Sequence, residues 1–286
     1  MKGIILAGGE GSRLHPLTIS ISKQLMPIYD KPLIYFPLCT LMLANIREIL
    51  CISSPNQINN IKNLLGDGSK WGISIEYKIQ EKPNGIAEAF IIGEYFIKND
   101  PVALILGDNI FYGIDLDKIL IHNIKTFSGA KIFTYKVKNP KRYGVVEVSK
   151  KNKVKSIIEK PEFPKSSDVA TGLYFYDNNV VDYAKKIKPS DRGELEITDL
   201  NKVYLKKNTL EAIKLQNGTV WLDAGKFDSL LQASQYVQII QQRQNILIGS
   251  PEEIAFKKEW ISKSDLKKII NKFPNNEYSN SLKNLL

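Results

Sequence analysis

Lys2-Gly3-Ile4-Ile5-Leu6-Ala7-Gly8-Gly9-Glu10-Gly11-Ser12-Arg13-Leu14 is the stretch whose reading decides the fold. An apolar run of strand length comes first, and three glycines follow it directly. Continuous apolarity without alternation predicts a strand buried on both faces, as inside a parallel sheet. The glycines let the backbone turn tightly and bring its N–H groups close to a polyphosphate. No Gly-Lys-Ser/Thr follows, so the loop is not a Walker A. Gly9-x-Gly11 is present, but Leu14 stands at the third glycine position of the dinucleotide fingerprint, which excludes that motif as well. Arg13 closes the loop with a fixed cation whose planar fork suits phosphate oxygens. Taken alone, the segment also fits a glycine-rich turn with no ligand.

Working outward, residues 32–45 read as a helix, 48–53 as a strand, 56–65 as a helix and 73–80 as a strand. Residues 85–97 carry helical periodicity, and 102–106 form a buried strand ending at Gly107-Asp108. Such alternation predicts an α/β fold with a doubly wound, mostly parallel (Rossmann-like) mixed sheet, its ligands beyond the carboxyl ends of the strands. From about residue 130 the texture changes. Segments 131–137, 145–149, 154–158 and 173–176 are strand-like with short connections, which predicts antiparallel additions to the sheet. From residue 226 the chain is mostly helical: 229–244 is one long candidate, and Pro251 opens another. The expected organisation is a single domain over 1–286, with an α/β core over 1–225 and a helical C-terminal segment over 226–286.

Composition narrows the classes. The 286 residues are 43% hydrophobic and 24% charged, enough for one large core. No run approaches 18 apolar residues, so no membrane span is expected. Met1 leads straight into the first strand without a signal-peptide pattern, and the expected location is cytoplasmic. Two cysteines, Cys39 and Cys51, and two histidines, His15 and His122, are too few for a zinc cluster, so reduced core thiols are expected. The formal charge is +10. Its densest basic group, Lys136 to Lys160, is interrupted by Glu147 and Glu159, which favours a solvated surface, then attraction of small anionic substrates, over nucleic-acid binding.

Further along, Lys23-Gln24-Leu25-Met26-Pro27 offers a second cation and an amide able to donate to and accept from a base. Asp108 and Asp223 each stand at the end of a strand-like run, where a turn or helix cap is the plain alternative. Gly3 to Leu14, Ser22 to Pro27, Gly107-Asp108-Asn109, Arg142-Tyr143-Gly144-Val145-Val146-Glu147, Glu159-Lys160-Pro161, Thr171-Gly172-Leu173-Tyr174 and Arg192 to Asp199 occur in that order. In this the sequence resembles the glucose-1-phosphate thymidylyltransferases, from Met1 to about residue 262.

The resemblance implies attack of a sugar-1-phosphate oxygen on the α-phosphorus of dTTP, with glucose 1-phosphate as acceptor and dTDP-glucose and pyrophosphate as products. Two anions must meet, so charge neutralisation and in-line positioning carry the catalysis. The implied catalytic set is Arg13, Lys23, Asp108, Lys160 and Asp223, with Asp108 and Asp223 holding Mg²⁺. Gly8, Gly9, Gly11, Gln24, Gln80 and Gly85 match nucleotide-binding positions. Asn109, Tyr143, Gly144, Glu159, Tyr174 and Arg192 match sugar-phosphate positions. A homotetramer, a role in deoxysugar (dTDP-rhamnose) and cell-surface polysaccharide synthesis, and inhibition by dTDP-rhamnose near Ser250-Pro251-Glu252-Glu253-Ile254 also follow from the resemblance.

The sequence departs from the family at two places. Ala170 replaces Val in Ala-Val-Thr-Gly, and Ala224, Lys226 and Phe227 replace three neighbours of Asp223. Two alternatives stay open at this stage, a UTP-using uridylyltransferase and a non-catalytic paralogue that binds nucleotide sugars.

Overall fold

Alternate residues of the first strand go to opposite faces of the sheet, and each face finds its own core. In the computed structural model, which describes residues 1–149 and 153–286, Ile5 and Ala7 join one apolar cluster with Ile49, Cys51, Ala103 and Ile105. Ile4 joins the other with Leu50, Ile52, Val102 and Leu104. A strand covered on both faces has no polar side, which is why these runs read as continuously apolar.

The elements follow one another as β1 (Lys2–Ala7), β2 (Pro27–Ile28), β3 (Lys31–Pro32), α1 (Tyr35–Leu43), β4 (Glu48–Ser53), α2 (Ile58–Leu65), β5 (Ser74–Ile79), α3 (Glu88–Ile92), α4 (Glu94–Ile97) and β6 (Val102–Leu106). Then come β7 (Asn109–Tyr112), α5 (Leu116–Lys125), β8 (Ala130–Lys136), β9 (Gly144–Val148), β10 (Val154–Glu159), β11 (Asp168–Tyr176), α6 (Val180–Lys186) and α7 (Ile197–Lys206). The chain continues through β12 (Leu210–Lys214), β13 (Val220–Asp223), α8 (Phe227–Gln244), α9 (Pro251–Lys257), α10 (Lys263–Ile270) and α11 (Glu277–Lys283).

Four parallel strands stand in the order β5-β4-β1-β6, with Gly3 opposite both Ile49 and Ala103. In chain order this is the 3-2-1-4 arrangement of a doubly wound sheet. Beyond β6 the expected antiparallel additions begin. Leu173–Tyr176 of β11 pair with β6, its first residues pair with β8 and β9, and β10 closes that edge. The register of β11 shifts between Ala170 and Tyr174, so Thr171 and Gly172 sit at a local irregularity facing β7.

Several boundaries differ from expectation. The helix expected from residue 32 starts at Tyr35, because Lys31–Pro32 is drawn into a hairpin with Pro27–Ile28. The helix expected over 85–97 is two short ones meeting at Gly93, where a Cβ would lie 2.9 Å from the Ala89 carbonyl oxygen and 3.1 Å from Ile4 Cδ1. β2, β3, β7, α5, α6, α7 and β12 were not foreseen. Part of the basic group, residues 150–152, lies outside the described residues.

The C-terminal helices share the main core: Ala255, Leu266, Ile270 and Leu282 belong to the cluster that contains Ile5. Polar groups stitch the two ends as well. The Lys31 ammonium is buried, 2.5 Å from Asp30 Oδ1 and 2.8 Å from Gln241 Oε1, with the Tyr278 ring centroid at 5.4 Å. Nearby, Glu252 accepts from Trp71 Nε1 at 3.0 Å and from the Tyr278 hydroxyl at 2.5 Å. Burial pulls the Lys31 pKa down against the pull of Asp30. Cys39 and Cys51 are free and buried, and burial pushes the Cys51 thiol up to about 12. Among the described residues, no helix is long and apolar enough to cross a membrane.

Candidate active site

Between β1 and β6 the order of the sheet reverses: β4 and β5 lie on one side of β1, and β6 lies on the other. A crevice forms at such a switch point beyond the carboxyl ends of the strands. Here it is floored by Gly8-Gly9 after β1 and by Gly107-Asp108 after β6. Two adjoining cavities open above them, of about 300 Å³ and 220 Å³.

Gly8, Gly9, Gln24, Gln80 and Gly85 all line the first cavity, with Lys23 beside them. Gly8 is a close-approach glycine, since a Cβ there would stand 2.4 Å from Gln80 Oε1. Gln80 is buried and donates through Nε2 to Glu88 Oε2 at 2.7 Å and to the Gly85 carbonyl at 3.3 Å. Gln24 is almost wholly buried, and its Oε1 accepts from the Ser22 hydroxyl. Gly85 has φ 111°, and a Cβ on it would lie 2.4 Å from the Leu195 carbonyl oxygen, so only glycine fits. Its loop is zipped to the 192–196 loop by Leu195 N to Asn84 O at 2.6 Å and Ala87 N to Leu195 O at 3.1 Å. Gly11 lies off the cavity wall in a left-handed turn, and its carbonyl accepts from Thr18 Oγ1 at 2.8 Å.

The second cavity is lined by Asn109, Tyr143, Gly144, Glu159, Lys160 and Tyr174. The Asn109 amide is engaged at both its oxygen and its nitrogen within the protein. Its Oδ1 accepts from Trp221 Nε1 at 2.5 Å and Gly172 N at 3.1 Å, and its Nδ2 donates to Asp108 Oδ1 at 3.0 Å. Glu159 accepts from Thr198 Oγ1 at 2.5 Å and has Lys160 Nζ at 3.5 Å. Burial, and then Glu159, raise the Tyr174 phenol. Arg192 lines neither cavity. Its guanidinium is held by Glu196 at 2.6 Å and stands 3.9 Å from Glu159 and 3.7 Å from Glu194.

Arg13 and Asp108 line both cavities. Asp108 Oδ2 accepts from Lys23 Nζ at 2.5 Å. Burial opposes its ionisation, but the Lys23 ammonium and hydrogen bonds from Lys23 and Asn109 prevail and hold its pKa below the usual carboxylate range. β13 lies antiparallel to β7 with Asp223 opposite Asn109, which brings the second carboxylate alongside. A point at the Cβ position of Gly225 would lie 3.0 Å from Asp223 Oδ1 and 3.7 Å from Asp108 Oδ2. Burial and the neighbouring Asp108 raise the Asp223 pKa against Lys23 and Arg142.

Two converging carboxylates fit Mg²⁺, which takes one or two carboxylates and fills its octahedron with phosphate oxygens and water. Among the described residues no group of three His, Cys, Asp or Glu converges as a fuller protein cage would need.

Of the residues that depart from the family, Ala170 stands in the wall of the second cavity, and the buried Ala224 donates its N–H to the Asp108 carbonyl at 3.0 Å. Lys226 and Phe227 are exposed and line neither cavity. Sequence reasoning assigned no role to Arg142, Trp221, Thr198 or Glu88. Arg142 and Thr198 stand inside the quoted motifs and Trp221 two residues before Asp223, and that adjacency was the available signal. Glu88 is two residues past Ile86, on a helix whose periodicity marks only its apolar face.

The family model described as nucleotidyl transferase matches residues 2–239. A glucose-1-phosphate thymidylyltransferase of Neisseria meningitidis serogroup A is 52% identical over 286 residues, covering 100% of this chain and 99% of its own. One from Mycobacterium tuberculosis is 48% identical over 286 residues, with the same coverage of 100% and 99%. A crystal structure, with a sucrose, of a Bacillus anthracis protein assigned as a glucose-1-phosphate thymidylyltransferase superposes with TM-score 0.77. It is 41% identical and covers 82% of this chain and 94% of its own. A UDP-glucose pyrophosphorylase complexed with UDP-glucose shares the fold at TM-score 0.73 and 24% identity, over 83% of this chain and 98% of its own.

Proposed function

The chain belongs to the nucleotidyl transferase family, with the glucose-1-phosphate thymidylyltransferases, and we propose that its two cavities join dTTP to glucose 1-phosphate, giving dTDP-glucose and pyrophosphate. The observation that carries the reading is that Arg13 and Asp108 line both cavities. A triphosphate over the glycine loop and a sugar phosphate beside Tyr143 and Glu159 would meet at those two side chains.

A phosphate oxygen of glucose 1-phosphate attacks the α-phosphorus of dTTP, the bond to the bridging α–β oxygen breaks, and that oxygen leaves with pyrophosphate. The attacking oxygen is already an anion, so no side chain has to take a proton. Arg13 neutralises charge where the two phosphates approach, and Lys23 does so from the Asp108 side. Lys160 and Arg192 hold the sugar phosphate, drawn from their carboxylate partners by a doubly charged ligand. Gln24, Gln80 and Gly85 read the base, Gly8 and Gly9 admit the phosphates, and Gly11 shapes the turn. Tyr143, Gly144, Glu159 and Tyr174 face the sugar, and Asn109 orients the wall. Asp108 and Asp223 would hold Mg²⁺, which when bound polarises the α-phosphate and shields its charge.

The test is pyrophosphate release from dTTP or UTP with glucose or galactose 1-phosphate, with and without magnesium. Magnesium-dependent release with dTTP and glucose 1-phosphate is expected. Preference for UTP would overturn the base assignment, and no turnover with any pair would favour a non-catalytic paralogue. The retained Arg13, Lys23, Asp108, Lys160, Arg192 and Asp223 speak against the paralogue.

We read residues 1–286 as one domain, since the helices after 226 pack into the core of the sheet. The product would serve deoxysugar (dTDP-rhamnose) and cell-surface polysaccharide synthesis in the cytoplasm, by a homotetramer. A third cavity, of about 210 Å³ and walled by Ser250, Glu253 and Ile254, supports an inhibitory site for dTDP-rhamnose.

A further inference from the structure

We infer that Glu88 is a positioning residue which fixes the Gln80 amide so that its oxygen, not its nitrogen, meets the base. The inference rests on the reading that the first cavity holds a nucleotide base. An amide side chain can be turned by 180° at almost no cost in shape, and a freely turning Gln80 would accept from one base as readily as it donates to another.

Glu88 removes that freedom. Its carboxylate only accepts, and it faces Gln80 Nε2 at 2.7 Å, so the amide nitrogen must turn toward it. The Gly85 carbonyl, also an acceptor only, takes the same nitrogen at 3.3 Å. Glu88 is itself tethered, since Asn84 Nδ2 donates to its other oxygen at 2.9 Å. Gln80 Oε1 is thereby pushed into the space that Gly8 leaves by having no Cβ.

Gln24 is oriented in the opposite sense. Its backbone N–H donates to Ser22 Oγ at 3.4 Å, and the Ser22 hydroxyl donates to Gln24 Oε1, which leaves Nε2 as the half of the amide with no protein partner among the described residues. The cavity therefore presents one donor, Gln24 Nε2, and one acceptor, Gln80 Oε1. Thymine and uracil carry an acceptor at O4 beside a donor at N3–H. Cytosine carries the reverse, a donor at N4 beside an acceptor at N3. With Gln80 fixed by acceptor-only partners, a cytosine nucleotide faces acceptor against acceptor there, while Gln24, whose Ser22 partner can donate or accept, can turn to suit either base. Rejection of this kind is strong because buried groups are left unpaired.

The experiment measures kcat and KM for dTTP and dCTP at saturating glucose 1-phosphate, with thermal melting, for the wild type, Glu88→Gln and Gln80→Ala. In Glu88→Gln the new amide can either donate or accept, so Gln80 is free to turn. The expected result is a rise of about tenfold in KM for dTTP and a fall of about tenfold in the dTTP-to-dCTP ratio of kcat/KM, with kcat and melting temperature little changed. A merely structural role would weaken both nucleotides equally and lower the melting temperature. Should Glu88→Gln keep the wild-type ratio while Gln80→Ala loses it, Glu88 has no such role and the base reading stands. Should Gln80→Ala itself keep the ratio, the base reading fails and the role of Glu88 with it. If Glu88→Gln does not fold, Asn84→Ala loosens the same carboxylate: a narrowed ratio supports the inference, and an unchanged one overturns it.

Discussion

Where the first cavity would read a base, the chain uses neutral amides, Gln80 held by acceptor-only partners and Gln24 by the Ser22 hydroxyl. Where the second would grip a sugar phosphate, it uses Glu159 and Lys160 of the cavity wall and, off the wall, Arg192, which Glu196 holds and which stands 3.9 Å from Glu159. In the first region the donors and acceptors face their target before any ligand arrives. In the second the cations are already committed to carboxylates, and a phosphate must win them. Hydrogen-bond readout needs an unambiguous partner, whereas charge neutralisation needs only a cation in reach that can change partner.

The boundary between the regions is where the comparison breaks most completely. On the proposed magnesium site, Asp108→Asn and Asp223→Asn are each expected to lower turnover by about 10³-fold or more, through loss of metal binding and its charge shielding. Pyrophosphate release checks this, and wild-type rates in either variant would show that the carboxylate is no metal ligand. Chelating the magnesium should silence the wild type in the same assay.

Next in size is Arg192→Ala, expected to lower kcat/KM for glucose 1-phosphate by about 10²-fold while KM for dTTP holds steady. An equal rise in KM for dTTP would show that the zipped loops couple the two regions. Gly85→Ala attacks that zipper directly. A Cβ driven into the Leu195 backbone should cost about 2–4 kcal/mol of stability and weaken both substrates together, read by melting and by both KM values. The smallest effect belongs to Ala170→Val, which narrows the sugar wall alone. KM for the sugar phosphate should change by about tenfold or less, with dTTP unaffected.

Much of this was legible in the sequence, because buried parallel strands and glycine loops are local features. β1, β4 and β6 have the bounds their apolar runs imply, and the strand-end carboxylates lie side by side. What could not be read depends on distant partners. Nothing near Lys31 says that a hairpin will claim Pro32 and delay α1. Nothing near Asn109 says that Trp221 and Gly172 will take its amide oxygen. Arg192 reads as a phosphate grip, and its resting partner Glu196, though only four residues on, is met only through the fold of the loop before α7. Glu88 looks like an ordinary exposed-face glutamate until Gln80 is seen across from it.

The polar stitch between the two ends of the chain bears on how the molecule is made. Lys31 meets Gln241 and Tyr278, and Trp71 meets Glu252, only after the ribosome has delivered the late helices. Until then the early hairpin's ammonium has Asp30 beside it but lacks its Gln241 acceptor and the Tyr278 ring. A product truncated before α8 would therefore leave the segment bearing Lys23 and Gln24 loosely seated and open to proteases.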